Sequence, residues 1–106
     1  RAHTRAASQL LGTRDAFLLH HAPEKGADPL WSDDGDGKGA NWLGLQLMLI
    51  RDRLSGQRRW TKYITGLLSV GSGRPLSLAK AHQWQSTVRK ATEAVVKELW
   101  MQGRAA

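Results

Sequence analysis

From Trp42 onward the apolar residues recur at helical spacing. Leu43, Leu47, Ile50 and Leu54 fall three or four apart, and Leu45, Met48 and Leu49 widen the stripe. The spacing predicts a helix over 42–54 that buries this stripe, with Ser55-Gly56 breaking it. A second helix is predicted over 57–70, with Trp60, Ile64, Leu67 and Leu68 on one side and Arg58, Arg59 and Lys62 mostly on the other. Gly71-Ser72-Gly73-Arg74-Pro75 stops it. Ser77 then stands where an N-cap is expected, and Leu78, Ala81, Trp84, Val88, Ala91, Val95 and Leu99 mark a long helix over 77–102 that Gly103 ends. Trp60, Trp84 and Trp100 all fall on apolar stripes, so all three are expected in the core.

The N-terminal part is less regular. Residues 2–11 can form a helix with Gly12 as its C-cap, and Ala16 to His21 is short and apolar enough for an isolated strand. Pro23, Gly26 and Pro29 enforce irregular structure up to Trp31. The expected fold is therefore mainly α, a small orthogonal helical domain with at most one short strand.

Composition narrows the class. A chain of 106 residues that is 41% hydrophobic makes one modest core. No apolar run reaches the roughly 18 residues of a membrane span, and there is no cysteine for a disulfide or thiolate metal site. Both fit a cytoplasmic protein. The start Arg1-Ala2-His3, without Met and without a clear targeting segment, is expected of a fragment of a longer reading frame.

Charge divides the chain in two. Residues 1–53 balance seven Lys/Arg against seven Asp/Glu, whereas 54–106 carry nine Lys/Arg against only Glu93 and Glu98, so the second half holds the whole formal charge of +7. Such asymmetry reads either as a nucleic-acid or polyphosphate surface or as a solvated helical face.

The chemistry is concentrated in Trp31-Ser32-Asp33-Asp34-Gly35-Asp36-Gly37-Lys38-Gly39-Ala40-Asn41, which runs straight into the 42–54 helix. Alternating glycines permit positive φ and close approach, and Asp33, Asp34 and Asp36 supply acceptors or negative charge. Asn41 at the helix start would let the loop aim backbone N–H groups at an anion. An EF-hand beginning at Asp34 needs a bidentate acid where Leu45 stands, and neither the Walker A nor the G-x-G-x-x-G spacing is met. Each residue has two readings. Trp31 stacks on a base or plugs the core, Asp36 stabilises positive charge at an anomeric carbon or closes an Asx turn, and Asn41 serves a site or simply caps a helix. His20 and His21, adjacent in an extended segment, face opposite ways, so at most one serves any given site.

These residues resemble the C-terminal part of the NADAR family, which includes an N-glycosidase acting on riboflavin-biosynthesis intermediates and hydrolases that remove ADP-ribose from guanine. Leu10-Leu11-Gly12-Thr13-Arg14-Asp15-Ala16 is similar to the family's "LLATGDA", Trp31-Ser32-Asp33-Asp34-Gly35-Asp36-Gly37 to "WGDGGDG", and Gly39 to Arg51 to "GxNxLGxxLMxVR". The chain departs from the family at His20, where an acidic residue is common, and at Ala40, where lysine is; the family's upstream Glu-His motif has no counterpart after Arg1. The resemblance implies that 1–53 are the C-terminal part of a NADAR-like domain, with 54–106 a basic helical extension packed on it. It implies hydrolysis of an N-glycosidic bond in a ribose phosphate, ADP-ribose-type substrate or ADP-ribosylated base. Asp36 would be catalytic, Trp31, Gly35, Gly37 and Asn41 would bind substrate, and no cofactor or metal is expected. The fragment alone is expected to be inactive. The alternative is a non-catalytic basic helical module that binds nucleic acid or a protein assembly through 54–106.

Overall fold

The computed structural model describes residues 4–26 and 28–105, and these form four helices: α1 Arg5–Gly12, α2 Trp42–Ser55, α3 Arg59–Leu67 and α4 Leu78–Ala105. Among the described residues there is no strand. The 16–21 segment is extended but pairs with nothing as a ladder, and a lone bridge joins Leu68 to Pro75. The predicted start of the first helix at residue 2 lies outside the described residues. Thr4 opens α1 by accepting the Ala7 N–H at 3.1 Å, and Thr13 rather than Gly12 is its C-cap. Gly12 remains helical because the left-handed residue at this end is Arg14, with φ +57°.

Helix α2 spans the predicted range but is rotated from the expected face. Leu45 and Met48 are its buried apolar residues, followed by Arg51 and Asp52, while Ile50 and Leu54 face solvent. The extended segment decides this rotation. Leu18 O lies so near α2 that a Cβ on Gly44 would sit 2.0 Å from it, and Asn41 Nδ2 donates to the same carbonyl at 2.9 Å. With that segment against Gly44, the next face round, Leu45–Met48–Asp52, meets α3. Burial of Leu45 and Met48 contributes about 1.5–3 kcal/mol each.

The core consists of Leu45, Met48, Ile64, Leu67, Leu68, Trp84 and Val88, with Phe17, Trp60 and Tyr63 packed edgewise beside it. Gly56 closes α2 in the left-handed conformation, as the Ser55-Gly56 break predicts. Asp52 then reaches from α2 to the first turn of α3, where Oδ2 accepts the Thr61 N–H and hydroxyl, both at 2.7 Å. Ser77 caps α4 through the Lys80 N–H at 3.2 Å. Among its described side chains, helix α4 buries only Trp84, Val88 and Thr92, near its middle. It runs past Gly103, and the expected core positions Leu78, Leu99 and Trp100 are exposed because no described element lies beside its ends. Among the described residues no helix is long and apolar enough to cross a membrane.

Candidate functional site

The glycine loop is built around one carboxylate. Asp33 is wholly buried, and its Oδ1 accepts the N–H groups of Ala22 at 2.9 Å and Gly35 at 2.8 Å. Its Oδ2 accepts from the Thr92 hydroxyl at 2.8 Å and from His21 Nδ1 at 2.6 Å. Burial alone would raise the Asp33 pKa; the His21 contact outweighs it together with the Ala22 and Gly35 N–H groups and Thr92, and the net effect is a pKa below the ordinary aspartate value. The carboxylate is therefore ionised near neutrality. It ties together the extended segment, the loop and α4.

Helix α4 holds the loop by its backbone as well. Gln85 Nε2 donates to Gly37 O at 2.6 Å and Gly39 O at 2.7 Å, and the Trp84 indole N–H donates to Ala40 O at 2.9 Å. Gly35 and Gly37 adopt φ +85° and +84°, and a Cβ on Gly37 would lie 2.8 Å from Arg89 Cα. The glycines thus serve, first of all, the approach of the chain to itself.

The start of α2 differs from the expected anion site. The N–H groups of Asn41, Trp42 and Leu43 donate to the carbonyls of Ser32, Leu30 and Trp31 at 3.0, 3.0 and 3.2 Å, so they are already satisfied. Asn41 occupies the N-cap position at φ +54° but makes no side-chain cap bond. Its buried amide turns inward instead, accepting the His20 N–H at 2.9 Å and donating to Leu18 O. A side chain able to make two long-range bonds to the backbone of 18–20 does so in preference to one local cap.

The structure separates the sequence-predicted site residues. Gly35 and Asp36 line an open cleft of about 450 Å³ whose opposite wall is α4, at Thr92, Glu93, Val96 and Lys97. Trp100 also lines it. Asp36 Oδ1 accepts the Lys38 N–H at 2.9 Å, the Asx turn expected of it, and Oδ2 lies 3.7 Å from Lys25 Nζ. Trp31 is 46% exposed, apart from both the cleft lining and the Trp84 core, and its N–H is held by Asp28 Oδ1. Gly37 packs on α4, and Asn41 lies within the fold. His20 and His21 do face different surroundings: His20 lines a groove between α1 and α2, and His21 meets Asp33. Among the described residues no three His, Asp or Glu side chains converge to hold a metal ion.

Sequence reasoning did not single out Asp33 as the centre of the loop, nor Thr92 and Gln85 as its supports, nor Glu93 and Lys97 as the far wall. The Asp33–Thr92 contact spans 59 positions, and the sequence carries no local signal for such a pairing.

Comparison with known proteins bears on the chain at this point. Over 52 residues it is similar to a riboflavin biosynthesis protein. That protein comes from Vibrio vulnificus (strain YJ016); the identity is 44%, covering 49% of this chain and 13% of the relative. The chain thus spans about one-eighth of the relative's length. No family model matches the chain, and no solved structure does.

Proposed function

We propose that this chain supplies one wall of the substrate site of a NADAR-type N-glycosidase acting on a ribose phosphate or ADP-ribose-type N-glycoside. The observation that carries the reading is the 44% identity to a riboflavin biosynthesis protein, set beside the motif residue Asp36 at the edge of a cleft. Breaking an N-glycosidic bond builds positive charge at the sugar C1 and negative charge on the leaving nitrogen. In this reading the Asp36 carboxylate, its direction set by the Lys38 N–H, faces C1. Gly35 leaves room for the sugar, Gly37 and Asn41 hold the loop in shape, and Trp31 offers an exposed stacking face for the base. The reading calls for no cofactor.

The test is to express the chain within the complete reading frame that encodes it and to assay release of ribose phosphate or ADP-ribose from N-glycosylated amines and bases. Asp36→Ala should slow turnover about a hundredfold, near 3 kcal/mol, while changing stability by about 0.5 kcal/mol. Equal turnover by the variant removes Asp36 from the mechanism, and no turnover by the parent overturns the proposal.

A second reading, a non-catalytic basic module, draws on exposed Lys/Arg residues at the start of α3 and along α3 and α4, among them Arg58, Arg59, Lys62, Arg89 and Lys90. Titration with a duplex oligonucleotide at two salt concentrations tests it. Binding that weakens steeply with salt favours this reading, and no binding at low salt rules it out.

A further inference from the structure

The Asp36 cleft contains a second carboxylate that comes from a distant part of the chain. Glu93 stands on the stripe of α4 formed by Thr92, Glu93, Val96, Lys97 and Trp100, which lines the same opening as Gly35 and Asp36. The two acids are held differently. Asp36 is tied by the Lys38 N–H and by Lys25, whereas the Glu93 side chain is exposed and makes no hydrogen bond or ion pair among the described residues. Their relative placement is set from below, because Thr92, the residue next to Glu93, bonds the buried Asp33, whose other oxygen holds the Gly35 N–H next to Asp36. The cleft is also chemically mixed. Val96 and Trp100 give it an apolar wall, and Lys97 sits one turn beyond Glu93 with a cationic head suited to a phosphate.

We infer that Glu93 is the general base of this cleft, a role that rests on the N-glycosidase reading above. Glycosidic hydrolysis commonly divides its work between two carboxylates, one facing the developing cation and one handling the proton of water. As the C1–N bond breaks, its electron pair goes to the leaving nitrogen and the Asp36 carboxylate faces the cationic C1. A water molecule then forms the C1–O bond while its proton passes to Glu93. Glu93 hands that proton to the leaving nitrogen, so the products are the free sugar hydroxyl and the protonated amine or base, and both carboxylates are regenerated.

The experiment measures turnover and substrate affinity of the complete reading-frame protein carrying Glu93→Gln, Glu93→Ala or, as a control on the same helix, Glu98→Gln. Glu93→Gln should lower kcat about a hundredfold or more with little change in affinity, and Glu98→Gln should leave kcat unchanged. Added formate should restore part of the Glu93→Ala turnover, which a purely structural role for Glu93 would not produce. If the parent turns over and Glu93→Gln matches it, or if formate gives no rescue, Glu93 is not the base and the N-glycosidase reading stands without it. If the parent does not turn over, that reading and this inference fall together.

Discussion

Replacing Asp33 with alanine should damage this fold more than removing any other loop acid, because four donors converge on its carboxylate in a buried place. The donors differ in what they lose. Thr92 has a fallback, since its hydroxyl already lies 3.0 Å from Val88 O, and His21, with 20% of its side chain exposed, can turn to water. The Ala22 N–H is buried with no such alternative, and an unsatisfied buried donor costs about 1–3 kcal/mol. Loss of the charge-assisted bonds from Gly35 and His21 adds about 1 kcal/mol each, for a total near 3–5 kcal/mol. At roughly 4–8 °C per kcal/mol for a domain of about this size, the melting temperature should fall by 12 °C or more. Urea unfolding of the parent, Asp33→Ala and Asp36→Ala measures this on one scale. Asp36 holds one local N–H and should cost about 0.5 kcal/mol. An Asp33→Ala protein within about 1 kcal/mol of the parent would refute the claim that this carboxylate organises the loop. The same group gives a pH signature. The folded-state pKa lies below the unfolded value, so the contribution is fully present above the ordinary aspartate pKa near 3.9 and is lost as pH falls through the folded value. Asp33→Asn should flatten the acid limb of the stability curve in that window.

Two further outcomes concern α2. Gly44→Ala should destabilise by about 3 kcal/mol or prevent folding, because its Cβ would meet the Leu18 carbonyl at 2.0 Å and neither backbone can yield; circular dichroism melts read this directly. Arg51 is buried, with Nη1 on the Thr13 hydroxyl at 2.8 Å and Nη2 lacking a partner among the described residues, so Arg51→Met should be neutral or stabilising by about 1 kcal/mol. A loss above about 2 kcal/mol in urea unfolding would show instead that the guanidinium is needed there.

Local rules carried the reading as far as local causes reach. The spacing of apolar residues located α2, α3 and α4, though α3 is Arg59–Leu67 rather than 57–70 because Leu68 turns extended and bridges Pro75; Ser77 and Gly56 marked real boundaries, and the alternating glycines marked the loop, because capping and positive φ depend on a few neighbouring residues. The rotation of α2 was hidden. Leu43, Ile50 and Leu54 are as apolar as Leu45 and Met48, and the segment that selects between the two faces lies some 25 residues earlier, at Leu18. Asn41 was legible as a helix start but not as a clamp, since its amide chooses between a local cap and the backbone of 18–20 only once those strands of chain meet. The same cause governs the cleft. Composition and motif pointed to Asp36, but nothing in them showed that Glu93, Lys97 and Trp100 line the same cleft, where the buried Asp33 holds Thr92 of α4 against the loop. A hydrogen bond between residues 59 positions apart leaves no periodicity to read, and it forms because a buried carboxylate must find its donors wherever the packed chain brings them.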